Sequence, residues 1–194
     1  MIIVGTDLVE VERGLVTGRL ECPDCRGRLR PWGSARRRVL RCAGGEQWRY
    51  PRRGRCSDCR GTHVLLSDDS LVRRRDEAVV IGSALVLKAS GHGHRYTAER
   101  LGVPAATVRG WFRRFAVNAE AVRVWFTVLA HGLDPLLGPI APTGTAVGDA
   151  VEAIAVAARA SSLRLGLLAP WRFAVRASRG GLLCNTGCLW AVAA

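Results

Sequence analysis

At 194 residues and 21.0 kDa, with 48% of its residues hydrophobic, the chain has room for one ordinary domain or two or three small ones, and wholesale disorder is excluded. Its formal net charge of +13 favours a polyanionic partner, because each phosphate neutralised releases condensed counterions. No apolar run approaches the roughly eighteen residues of a spanning helix, and the opening MIIVGTDLVEVE has no basic n-region, so neither a membrane span nor a signal peptide is expected.

The opening stretch, MIIVGTDLVEVERGLVTGRL, is β-branched and loosely alternating and reads as one or two strands. From Cys22 to His63 come glycines, arginines and paired cysteines without helical period. RRRVLRC and EQWRYP fit short strands joined through the hairpin turn AGGE. Residues 19–60 hold thirteen arginines against four acids, whereas residues 116–194 hold six against four, so the polyanion-facing part lies in the first two thirds. Arginine suits two-pronged contact with phosphate and guanine, although the near absence of lysine (Lys88 is the one) also fits a GC-rich coding bias.

Cys22 and Cys25 are spaced by two residues, as are Cys56 and Cys59, with thirty residues between the pairs. Each short loop lets two thiolates reach one ion, so the set predicts a structural Zn²⁺ with four sulfur ligands and no open position. A segment so poor in large apolar side chains needs such a clamp to fold. Unrelated reduced cysteines are the alternative. Arg26 and Arg60 stand where zinc ribbons usually place glycine, with Gly27 and Gly61 one step later. Cys42 reads as a small buried hydrophobe and His63 as a surface or capping residue, either being a possible substitute ligand. Trp32, Trp48 and Tyr50 are read first as ribbon core and second as base-stacking groups. Seven cysteines without an export signal argue for a reducing cytoplasm, and Cys184 and Cys188 read as free thiols.

Helical pattern then takes over. SDDSLVRRRDEAVVIGSALVLKAS predicts a helix capped by Asp68, Asp69 and Ser70, with Ala78, Ile81 and Leu85 on one face and a stop at Gly91. His92 and His94 belong to a loop before the next helix. YTAERLGVPAATVRGWFRRF then has the register of a helix-turn-helix. Ala98 is the small residue of the first helix, Gly102 the turn with positive φ, and Val108 and Trp111 the buried positions of the second. Pro104, Ala105, Ala106, Arg109, Gly110 and Arg113 are left to face a major groove, with Thr107, Arg100 and Arg114 placed for phosphates. A solvated basic hairpin is the bland alternative. A further helix is expected from Phe115 to about His131. GLDPLLGPIAPTGTAVG reads as a linker, and helices are expected from Asp149 to about Ser161 and from Trp171 to about Ser178.

The fold class expected is α+β: residues 1–66 as strands and zinc ribbon, 67–131 as a helix-turn-helix domain with a following helix, and 132–194 as linker and helical region. The stretches LECPDCRGRLRPWG, RCSDCRGTHVLL, RRRDEAVVIGSAL and ERLGVPAATVRGWFRRF resemble zinc-ribbon plus helix-turn-helix proteins of high-GC bacteria, and so the DNA-binding front halves of insertion-sequence transposases. The resemblance covers residues 1–115. It implies a sequence-specific binder of double-stranded DNA that acts as accessory to a separate recombinase. A transcriptional regulator is the alternative, and an RNA-binding or protein-interaction scaffold is the alternative of another class. Glu120, Asp134, Asp149 and Glu152 are the acids after residue 115, and Tyr50 and Tyr96 the tyrosines of the chain, so no catalysis is expected. The apolar helices after residue 116 are expected to serve a homodimer or partner interface.

Overall fold

The computed structural model describes residues 1–184, the side chains of Leu163 and Leu165 aside, and its chain divides into two compact units, Met1–Glu77 and the residues from Ala78 onward. The fold is α+β, with both sheets in the first unit. The division differs from the expected boundaries at 66 and 131. Residues 68–77 anchor to the β unit through buried polar groups, and the long helix that runs past residue 131 to Leu133 packs on the helix that follows it.

Unit 1 opens with β1 (Ile2–Val4) and α1 (Leu8–Thr17). Here the expected second strand is a helix. Asp7 caps it, accepting from the backbone N–H of Val9 at 2.9 Å and Glu10 at 3.3 Å, and Gly18 ends it at φ +71°. Val11 and Leu15, four apart, are buried, while the β-branched Val9 and Val16 face solvent. Two caps and one buried stripe outweigh β propensity. β2 (Leu29–Ser34), β5 (Arg52–Cys56), β6 (Thr62–Ser67) and β1 form a sheet of order β1-β6-β5-β2, parallel at β1–β6 and antiparallel elsewhere. Its core gathers Val11, Leu15, Cys22, Leu29, Cys56 and Leu65. β3 (Arg38–Cys42) and β4 (Gly45–Arg49) make the expected separate hairpin, turning through a glycine at φ +116°.

The helix expected from Asp68 starts at Ala78 instead. Asp68, Asp69, Ser70 and Asp76 are buried rather than capping. Asp69 accepts from Ser67 and Ser70 and pairs with Arg49 at 2.9 Å, and Asp76 holds Arg41 through contacts of 2.8 and 3.1 Å. Those tertiary bonds outcompete a first helical turn.

Unit 2 holds α2 (Ala78–Ala89), α3 (His94–Leu101), α4 (Ala105–Leu133), α5 (Ala146–Leu165) and α6 (Pro170–Ala177). The two helices expected on either side of Phe115 are one 29-residue helix, α4. No proline interrupts it near Phe115. A stripe of Phe115, Ala119, Val122, Phe126 and Ala130 stays buried along it. Ala150, Ala153 and Ala157 of α5 are fully buried, and such small side chains let α4 and α5 approach closely. The Phe126 ring meets Phe173 of α6 edge-on at 6.3 Å. Gly82 of α2 lies so close to Trp171 that a Cβ there would sit 2.1 Å from the indole. Among the described residues no helix is long and apolar enough to cross a membrane.

Candidate metal centre and candidate nucleic-acid face

Two six-residue turns, CPDCRG and CSDCRG, build the first site. The sulfurs of Cys22, Cys25, Cys56 and Cys59 all lie within 4.8 Å of one another, with Cys22 to Cys59 at 3.7 Å and Cys25 to Cys56 at 3.4 Å. The four cysteines are therefore positioned to hold a metal ion. Each turn closes the same way: the Cys22 N–H donates to the Gly27 carbonyl at 2.7 Å, and the Cys56 N–H to that of Gly61 at 2.9 Å. Arg26 (φ +63°) and Arg60 (φ +62°) take the left-handed conformation that glycine usually supplies. Glycine is needed one step later for space. A Cβ on Gly27 would sit 2.8 Å from the Cys56 sulfur and 2.5 Å from Asp58, and one on Gly61 would meet the Cys59 sulfur at 3.3 Å.

Protons resist leaving this cluster evenly. Burial disfavours the Cys56 thiolate, but backbone N–H groups of Cys59 and Asp58 and the neighbouring thiols bring its pKa down to about 7. At Cys59 the Gly61 N–H favours ionisation, yet the Cys25 thiol, burial and the other thiols push it up to about 12. Four thiolates in one place need a cation.

His63 is not a surface residue. It is 6% exposed, with Nε2 at 3.3 Å from the Cys22 sulfur, a neighbour to the cluster rather than one of the four sulfurs. Its place four residues after Cys59 was the available signal, and alternation along β6 explains it: His63, like Leu65, points to the buried face. Cys42 is half-buried in the hairpin, its sulfur near the Leu40 carbonyl, apart from the metal cluster. Cys184 is half-buried, and Cys188 lies outside the described residues.

The second site is α3, its turn and the start of α4. Gly102 sits at φ +64°, ψ +31°, and the N–H of Val103 returns to the Ala98 carbonyl at 3.0 Å, closing α3 as glycine in this place allows. Ala98, Val108, Trp111, Phe112 and Phe115 are buried. Pro104, Ala106, Arg109, Arg113 and Arg100 are exposed, and Ala105, Thr107, Gly110 and Arg114 are half-buried. Arg114 lies back along the helix, its Nη1 2.8 Å from where a Gly110 Cβ would stand. Arg109 and Arg113 form no ion pair among the described residues.

The aromatics expected in the ribbon core stand outside it. Trp32, Trp48 and Tyr50 are 49%, 54% and 57% exposed. The Arg55 guanidinium lies 4.5 Å over Trp32 and that of Arg37 4.7 Å over Trp48. Arginine planes cover one side of each indole, and small aliphatic residues fill the core instead.

The architecture is that of a small four-cysteine β unit followed by a helical unit. Residues 22–111, from the first cysteine to Trp111 of α4, match a protein family described as a domain of unknown function (DUF6431). No curated protein matches the chain. No solved structure matches it.

Proposed function

We propose that the chain is a sequence-specific binder of double-stranded DNA whose α3–turn–α4 segment acts as a helix-turn-helix. The observation that carries this is the split of the first turns of α4. Val108, Trp111, Phe112 and Phe115 are spent on the core, while the exposed Arg109 and Arg113, four residues apart, face outward without acidic partners. The chain's net charge of +13 supports a polyanionic partner. Zn²⁺ is the ion proposed for the four cysteines, since bonds of about 2.3 Å to a tetrahedron of sulfurs set them about 3.8 Å apart, close to the spacings here. The ion supplies folding energy; no reaction is assigned to it.

The reading is of a binder and not of a nuclease. After residue 115, Glu120 is held by Arg123 at 2.9 Å, Glu152 by Arg159 at 3.1 Å, and Asp149 by the Thr143 hydroxyl at 2.8 Å, so these acids do not converge on one ion. Likeness to transposase front halves supports an accessory role in a mobile element, and the reduced thiols a cytoplasmic setting. A homodimer is favoured by α4 itself: Val117, Val124 and Val128 remain 69%, 46% and 69% exposed along it.

Duplex affinity measured against salt tests the proposal. A log–log slope of about −5 is expected for about six phosphates engaged. Arg109→Ala is expected to relax preference at one base pair by about tenfold, and Arg114→Ala to weaken all duplexes alike. Equal behaviour of the two variants, or preference for structured RNA over duplex, contradicts it.

A further inference from the structure

Unit 1 contains a cavity that the duplex reading does not use. It encloses about 310 Å³ between the β3–β4 hairpin, α1 and the sheet. Leu8, Val11, Leu65 and Leu66 supply an apolar wall, and the exposed rings of Trp48 and Tyr50 line its open side. Of the arginines that line it, Arg49 is held by Asp69, Arg52 by Glu12 through contacts of 2.8 and 3.0 Å, and Arg38 donates to the Arg74 carbonyl without an ion pair among the described residues. The cavity thus offers one guanidinium without a carboxylate partner, Arg38, and for the rest apolar walls and aromatic faces, which suit a flat ring. Two further arginines precede Arg38 in the chain. Arg36 and Arg37 are exposed and form no ion pair among the described residues, and Arg37 lies over one face of the Trp48 indole, which is 54% exposed.

A ring inside and phosphates outside describe one ligand class. We infer that the hairpin and the cavity form a pocket for an unpaired nucleobase, with the flanking phosphates on Arg36 and Arg37, so that unit 1 binds single-stranded DNA. Stacking on an aromatic side chain needs no particular base, and the surrounding arginine charge draws in the backbone. The inference goes beyond the duplex reading and is independent of it, since Arg109 and Arg113 belong to unit 2. Trp32 provides an internal control. The strand register pairs Leu29 with Cys56 and Pro31 with Gly54, and Gly54 faces Leu15 of α1, so Arg55 and the Trp32 ring beneath it stand on the opposite face of the sheet.

The test is anisotropy of a labelled oligothymidylate of about twelve nucleotides, against an abasic strand of equal length and a random duplex, with the full metal-loaded chain. Trp48→Ala is expected to weaken the thymidylate about tenfold, Trp48→Phe to restore most of the loss, and Trp32→Ala to change it less than about twofold. The abasic strand should bind weakly and not distinguish the Trp48 and Trp32 variants, and duplex affinity should move less than about twofold. Arg37→Gln, which leaves the rings in place, should weaken the thymidylate and lower its salt slope by about one. Metal content serves as the folding check for each variant. Unchanged thymidylate affinity in Trp48→Ala, equal loss for thymidylate, abasic strand and duplex, or a clear preference for oligouridylate overturns the inference. Failure of the duplex reading would show instead as indifference of duplex binding to Arg109→Ala.

Discussion

The two units face the same problem, burying enough surface to fold, with different materials. Unit 1 buries aliphatic residues of modest size around the inner cysteines, Cys22 and Cys56, and ties its polar interior with the Arg49–Asp69 and Arg41–Asp76 pairs. Every buried aromatic among the described residues lies in unit 2: Trp111, Phe112, Phe115, Phe126 and Phe173. A helical unit with that much apolar area has packing to draw on, whereas the small β unit dense in arginine has four cysteines positioned for a metal to add to its stability. The same difference divides the proposed work. Unit 1 leaves arginine and exposed rings free to grip a strand, and unit 2 supplies a rigid helix that fixes two arginines in register.

Loss of one ligand is the strongest way to break this comparison. Cys59→Ser removes an exposed sulfur that contributes nothing to the core, yet it forfeits much of a binding free energy on the order of 10 kcal/mol. Circular dichroism and metal content should show unit 1 unfolded and the helical signal of unit 2 retained. Phe126→Ala tests the other side: it should lower the stability of unit 2 by about 3–5 kcal/mol in denaturant melts while metal content stays the same. Gly82→Ala should cost unit 2 about 2 kcal/mol, because the added methyl must push the Trp171 ring aside.

Asp69→Asn should cost unit 1 about 2 kcal/mol at neutral pH. Burial pushes the Asp69 carboxyl up, but the Ser67 and Ser70 hydroxyls and Arg49 more than offset it and hold it below the usual carboxylate range. A depressed folded pKa contributes stability that is full above the unfolded pKa of about 4 and lost as pH falls through the folded value. The stability difference between wild type and Asp69→Asn should therefore shrink in acid melts below about pH 4. A difference that grows there contradicts the assignment.

What could be read from the chain beforehand follows the range of the interactions. The cysteine pairs were legible because metal ligation demands a short fixed spacing, and Gly102 because a left-handed turn leaves few alternatives to glycine. The β3–β4 hairpin was legible from its paired glycines. Where local preference and tertiary contact disagree, the reading failed. Val9, Val11 and Val16 spoke for a strand, but Asp7 and Gly18 cap a helix whose buried residues lie four apart. Asp68, Asp69 and Ser70 have cap chemistry, and Arg49, distant in sequence, claims Asp69 for the interior. Trp48 and Tyr50 resembled core residues by type, but β4 and the residue after it have no fully buried position, so neither ring has a core to join. α4 runs unbroken for about 43 Å because no proline stops it and α5 packs along it, and the second of these is not visible in the local sequence.

The most direct measurement is selection of duplexes from a random pool by wild type and Arg109→Ala in parallel, read by sequencing. The account predicts an enriched motif containing at least one G·C pair whose preference disappears in the variant while the rest of the motif survives. An absence of enrichment, or an identical motif from both proteins, contradicts it.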